Sequence, residues 1–250
     1  RMATHFARGI LSTGEPLSTR LSAACHQSAR RLPEYRQARF RASRSLLAEL
    51  LFMLYGISEL PEIISQPDGR PVFSDPNLPD FSLSYTGNIV GVALTTEGKC
   101  GLDLELQRSA YSLSRAQNPE RDCFTSNEKL WIKNQNDANE AQVQLLTLRH
   151  SILKLTGEIH KDRPDLLQLL PGSGRLRSAS LTQLEALSDA EDVLVWSLAA
   201  TPVIGALKIW QFDGKHGWQS LPDAQTRANA EDTRLMRFTS LSSEKTLILN

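Results

Sequence analysis

The sequence predicts an α+β protein of two similar halves, each a long helix followed by antiparallel strands. Two stretches with helical spacing, 33–55 and 141–156, each precede a set of short strand-like runs. A polar stretch without periodicity, 107–121, lies between the two sets. The expected division is a first subdomain over residues 2–106, a linker over 107–121 and a second subdomain over 122–250.

In the first helix Phe40, Leu47, Leu51 and Leu54 share one stripe, Pro33 suits the first turn, and Gly56 is a natural stop. Pro67-Asp68-Gly69-Arg70-Pro71 reads as a turn. Strands are expected over 81–85, 89–95 and 99–106. Thr86-Gly87-Asn88 and Thr96-Glu97-Gly98 separate them, and connections that short imply an antiparallel meander. Ser126 reads as the N-cap of a short helix ending near Trp131, followed by a polar loop over 133–140. The second long helix buries Leu145, Leu148, Ile152 and Leu155, with Gly157 just past its end. Runs 166–170, 192–199 and 206–212 supply the second set of strands. From Pro222 onward the chain is polar enough for a surface wrap or tail.

Composition narrows the function classes. With 250 residues the chain can bury a sizeable core, and its 28 Lys+Arg balance 28 Asp+Glu. Arg30, Arg31, Arg36, Arg39, Arg41 and Arg44 crowd one stretch. Only Tyr35 and Phe40 interleave with them as aromatics, so a phosphate-binding or solvated helix face is a better reading than nucleic acid. Cys25, Cys100 and Cys123 form no C-x-x-C, which speaks against zinc and against a disulfide framework. The longest apolar run, 193–207, is broken by Thr201 and Pro202 and is too short for a membrane span. The first residues lack the layout of a secretory signal, and the expectation is a soluble cytoplasmic monomer. No P-loop, G-x-G-x-x-G, H-E-x-x-H or G-x-S-x-G occurs.

The chemistry concentrates at Cys100-Gly101-Leu102-Asp103-Leu104-Glu105-Leu106. In a strand Leu102, Leu104 and Leu106 share one face and Asp103 and Glu105 the other, about 7 Å apart. Two like charges at that spacing repel unless a cation sits on them, and Mg²⁺ prefers one or two carboxylates plus water and substrate phosphates. The competing reading is a pair of acids on a solvated face. On the second long helix His150 and Lys154 are four apart on one face with Thr147 beside them, suited to an acid–base group and a phosphate-binding cation. A solvated helix face is again the competing reading.

Several motifs resemble, in order, those of the larger, pseudo-dimeric Sfp-type 4′-phosphopantetheinyl transferases. They are Gly69-Arg70-Pro71-Val72-Phe73, Phe81-Ser82-Leu83-Ser84-Tyr85-Thr86-Gly87, Gly101-Leu102-Asp103-Leu104-Glu105, and Thr147-Leu148-Arg149-His150-Ser151-Ile152-Leu153-Lys154-Leu155-Thr156-Gly157. The helix carrying Arg39-Phe40 and Arg44-Ser45-Leu46-Leu47 is similar too, as are Phe124 and Glu128. The resemblance implies that the two halves are related by a pseudo-twofold. It implies a Mg²⁺-dependent transferase, with Mn²⁺ as a substitute, that moves phosphopantetheine from coenzyme A to a serine of an apo acyl or peptidyl carrier protein. Asp103 and Glu105 would hold the metal. Arg70, where the family usually has Lys, and Ser84 would contact coenzyme A phosphates, and Lys154 would steady the pyrophosphate. Arg39 and Arg44 would extend that basic wall.

Three positions depart from the pattern. Tyr85 replaces a phosphate-binding His, Leu146 replaces a Trp, and Arg149-His150 replaces a Lys-Glu pair. The Tyr85 phenol can still donate one hydrogen bond and so stays a coenzyme A-binding candidate. Imidazole is a poorer Mg²⁺ ligand than carboxylate but a competent base near neutral pH, so His150 joins Glu105 and Lys154 as a catalytic candidate. The alternative is a degenerate homologue that binds coenzyme A or a carrier protein without catalysis. A phosphohydrolase is disfavoured, because one D-x-E lacks the further acids of a two-metal site.

Overall fold

In the computed structural model, the described residues are 3–11, 18–107, 124–161, 163–229 and 234–240. The expected linker therefore lies almost wholly outside them, as does Cys123. Thirteen strands and five helices are seen among the described residues, in a mixed α+β architecture.

The first half contains strand β1 (Ala3–Ile10) and helices α1 (Ala23–Arg30) and α2 (Glu34–Tyr55). It continues through β2 (Ile63–Ser65), β3 (Pro71–Phe73), β4 (Asp80–Thr86), β5 (Ile89–Thr95) and β6 (Lys99–Leu106). Pro33 is the N-cap of α2, and Gly56 closes it in the left-handed conformation (φ 70°) that glycine tolerates best. The buried face of α2 is Ser43, Leu46, Leu47, Leu50 and Leu51, turned slightly from the expected stripe.

The second half opens with α3 (Ser126–Lys133) and α4 (Ala138–Thr156). It then runs β7 (Leu167–Leu170), β8 (Arg175–Ser178), β9 (Glu185–Glu191), β10 (Leu194–Thr201), β11 (Ala206–Asp213) and β12 (Gly217–Leu221). A short α5 (Ala224–Ala228) and β13 (Met236–Ser240) follow. The cap of α3 is Thr125 rather than Ser126, in a capping box with Glu128. The expected polar loop over 133–140 is shorter, because Asp137 caps α4 from Ala138.

The strands form two large sheets, ordered β12-β11-β1-β5-β4 and β6-β10-β9-β13-β8-β7. The expected meander is thus corrected. β4 and β5 make a hairpin, but β6 leaves it and pairs antiparallel with β10 in the second sheet. In exchange, β11 returns to the first sheet and pairs parallel with β1. The polar stretch after Pro222 is likewise no mere wrap, since β13 inserts between β9 and β8.

The layers follow from which faces are apolar. Helix α2 covers one face of the first sheet through Leu46, Leu47, Leu50, Leu51, Phe81, Val92 and Leu94. The other face meets the second sheet through Phe6, Leu102, Leu104, Trp196, Leu198 and Ile209. Helix α4 covers the far side of the second sheet with Leu145, Leu148, Ile152, Leu169, Ala186 and Phe238. The result is helix, sheet, sheet, helix. Polar ties cross the sheet–sheet junction, among them a bidentate pair of Arg8 with Glu191 at 2.6 and 2.8 Å.

His5 on β1 accepts a hydrogen bond at Nδ1 from Trp210 Nε1 at 3.1 Å and is buried. Burial, with help from Lys208, lowers its pKa from the ordinary imidazole value. The folded chain therefore resists taking a proton that the unfolded chain accepts below about pH 6.5. Stability contributed by neutral His5 is complete above that pH and is lost as the pH falls beneath it. The difference in urea midpoint between wild type and His5→Leu is expected to shrink between pH 7.5 and 5.5. An unchanged difference would show that His5 titrates normally in the fold.

Candidate active site

The site is built on β6 and the helix packed across it. Gly101, Asp103 and Glu105 share the face of β6 that looks at α4. A Cβ on Gly101 would stand 2.0 Å from the Ser151 carbonyl oxygen, so only glycine lets the helix come this close. That approach sets His150 beside Asp103, with Nδ1 3.4 Å from Oδ2. The imidazole side chain is about a third exposed (32 %) and the carboxylate 15 % exposed, so the pair sits at the edge of the core and can be reached by solvent. One turn later Lys154 extends over the edge of β6, and its Nζ donates to the carbonyls of Leu83 (2.8 Å) and Leu102 (2.9 Å).

Charge at this site is held against its preference. Burial and the Asp103 carboxylate raise the Glu105 pKa, while His150 and hydrogen bonds from Leu106 and Thr86 oppose the rise. Burial lowers the Lys154 pKa, and Asp103 partly restores it. Acid and base are both pushed toward neutrality in one small region, a pattern common at functional sites.

The remaining candidates fall along a line and then away from it. Ser84 is buried, and its hydroxyl accepts the Leu104 N–H at 3.0 Å. Arg70 makes a bidentate pair with Asp80 and donates to the Cys100 carbonyl at 2.9 Å. Both side chains that were expected to face coenzyme A phosphates thus have partners inside the protein. Arg39 lies over the Tyr85 ring at 4.9 Å, a cation–π contact on the α2 side of β4. Arg44 is turned onto Phe40 at 3.6 Å, and burial brings its pKa down to about 10, against the pull of Cys25. The structure brings Asp103, Glu105, His150 and Lys154 together. It leaves Arg39 with Tyr85, and Arg44, in separate clusters.

Arg149 and His150, adjacent in sequence, are separated in role. The Arg149 side chain is fully buried, lies 3.7 Å from the equally buried Glu128, and donates to the Leu167 carbonyl at 2.7 Å. Glu128 also accepts the main-chain N–H groups of Thr125 and Leu169. This pair locks α3 to α4 and to β7. The sequence analysis assigns no site role to Asp80, Ser82 or Thr86, although their period of two along β4 is visible.

Among the described residues no group of three or more His, Cys, Asp or Glu is arranged to hold a metal alone. Two carboxylates on one face, with Glu105 biased toward protonation by burial and then by Asp103, nevertheless suit a divalent cation that completes its shell with substrate oxygens.

No family model matches the chain. The Escherichia coli K12 protein described as "uncharacterized protein YieE" is 62% identical over 244 residues, 98% of this chain and 98% of that protein. The YieE of E. coli O6:H1 matches to the same extent. Over 74 residues, 29% of this chain and 34% of that protein, the chain is 39% identical to the 4′-phosphopantetheinyl transferase AcpT of E. coli K12. AcpT of Salmonella typhi is 36% identical over 73 residues.

Replacing Gly101 by Ala is expected to cost about 3 kcal/mol, because the added methyl meets main chain of α4 rather than a movable side chain. Equilibrium urea denaturation measures this. A loss under about 0.5 kcal/mol, the range of ordinary surface substitutions, would mean that α4 stands further from β6 than described.

Proposed function

We propose that this chain, which belongs to the family of the E. coli protein YieE, transfers 4′-phosphopantetheine from coenzyme A to a serine of an acyl or peptidyl carrier protein, with Mg²⁺ as cofactor. The observation that carries this reading is the convergence of Asp103, Glu105, His150 and Lys154 where β6 meets α4. The part-length likeness to AcpT and the ordered motifs support it independently. The fold reading that goes with it is two subdomains, 2–106 and 122–250, joined by the linker 107–121 and related by a pseudo-twofold. Helix α2 on the first sheet and α4 on the second support that relation.

In this reading Asp103 and Glu105 hold the cation. When bound, Mg²⁺ would neutralise charge on the coenzyme A pyrophosphate. Lys154 spends two of its three protons on the Leu83 and Leu102 carbonyls and keeps the third for an anion beside Asp103. His150 takes the proton of the attacking serine hydroxyl, and Asp103 stabilises the resulting imidazolium. The serine oxygen bonds to the phosphorus that carries pantetheine, the anhydride bond to the other phosphate breaks, and 3′,5′-ADP leaves. Arg39 and Tyr85 on the neighbouring face of β4 could accept part of that leaving group.

One observation favours a second reading. His150, standing where the resembled family carries a carboxylate, is paired with Asp103, which leaves the acidic pair one carboxylate short, as in a homologue that binds a ligand or a carrier without transfer. Incubation with coenzyme A, Mg²⁺ and a panel of apo carrier proteins, read by intact mass, separates the two. Transfer predicts the phosphopantetheine mass on at least one carrier and none in EDTA. Binding alone predicts a coenzyme A-dependent rise in melting temperature and unmodified carriers.

If transfer occurs, Asp103→Ala should lower it by about 10²-fold or more. His150→Ala should lower it about 10²–10⁴-fold if the imidazole moves the proton. A neutral His150→Ala together with transfer gained by His150→Glu would assign the natural protein to the binding class.

A further inference from the structure

Strand β6 has one edge paired with β10 and one edge that faces β4 of the other sheet. No strand hydrogen bonds along that second edge among the described residues. Its N–H groups are nevertheless served, one after another, by side chains of β4. Cys100 N donates to Asp80 Oδ2 (2.9 Å), Leu102 N to Ser82 Oγ (3.0 Å), Leu104 N to Ser84 Oγ (3.0 Å) and Leu106 N to Thr86 Oγ1 (3.3 Å). Every acceptor stands twenty residues before its donor, so the register is constant along about 20 Å of strand. The Cys100 and Leu102 carbonyls on the same edge are taken by Arg70 and Lys154.

A strand aligned by a partner strand is fixed by main chain and tolerates side-chain change. Here short side chains do the aligning, and their length decides where β6 lies relative to β4. The last rung ends one residue from the acidic pair. Thr86, buried at the end of β4, accepts from Leu106 N at 3.3 Å, the residue next to Glu105, so this rung fixes the main chain on which the Glu105 carboxylate stands.

We propose that the β4 ladder of Asp80, Ser82, Ser84 and Thr86 positions β6 so that Asp103 and Glu105 project together toward a divalent cation, with the Thr86 rung fixing the main chain beside Glu105. The ladder residues are positioning groups that act through β6. The inference rests on the metal-site reading above. Groups that hold a ligating carboxylate in place are worth about 10–100-fold in metal affinity.

The test is Mn²⁺ binding to the full chain in the presence of coenzyme A, read by water-proton relaxation and so independent of transfer. Thr86→Val, which keeps shape and loses the hydroxyl, should weaken Mn²⁺ about 10–100-fold. Thr86→Ser should restore it, and in Thr86→Val the Mg²⁺ concentration for half-maximal transfer should rise in parallel with the loss of Mn²⁺ affinity. Should Thr86→Val fail to reach the native near-ultraviolet spectrum, Thr86→Cys, with a weak acceptor, gives the same comparison. Unchanged Mn²⁺ affinity in the Thr86 variant, with loss in Asp103→Ala, overturns the positioning role and leaves the metal site standing. Unchanged affinity in both overturns the metal site and this inference with it.

Discussion

A main-chain N–H removed from water must find an acceptor, and an exposed strand edge buried against another sheet offers several at once. The free edge of β6 meets this demand with four side-chain acceptors from β4 and two cationic donors, Arg70 and Lys154. Much else follows from that seam. It lets β6 leave the hairpin of β4 and β5 for the second sheet without stranding polar groups. It brings both sheets to a common apolar interface through Leu102 and Leu104 on the opposite face. It also consumes residues whose chemistry in isolation reads as phosphate binding, which explains why Ser84 and Arg70 are occupied.

The same seam concentrates charge where burial disfavours it. Lys154 reaches across the edge and satisfies carbonyls of both strands, while Asp103 supplies the counter-charge that keeps an ammonium tolerable. Glu105 is penalised by burial first, and its like-charged neighbour Asp103 adds to the cost. An apolar replacement at these positions would relieve the repulsion, so the arrangement contributes little to stability.

The helix α4 is the other fixed member. Its placement depends on a missing side chain at Gly101 on one side and on the buried Glu128–Arg149 pair on the other. Between these restraints the helix has little freedom to rotate. His150 therefore faces Asp103 and its neighbour Arg149 faces the interior. A motif read as two adjacent residues is, in the fold, one part-exposed imidazole beside Asp103 and one structural pin.

The sequence by itself determined the long helices, their stops at Gly56 and Gly157, the hairpin of β4 and β5, and the extent of β6, because each rests on local periodicity and turn chemistry. It also placed Asp103 with Glu105 on one strand face and His150 with Lys154 on one helix face, since those relations need only the local repeat. Only the tertiary structure decided that β6 and β11 change sheets. It alone made strands of β1, which lacks alternation, and of β9, whose Asp189 and Glu191 are tolerable because Arg227 and Arg8 meet them. Partners far apart in the chain, Ser84 with Leu104, Arg70 with Asp80 and Lys154 with Leu83, carry no local signature. Their roles became fixed only when long-range packing chose which polar groups would share one buried edge.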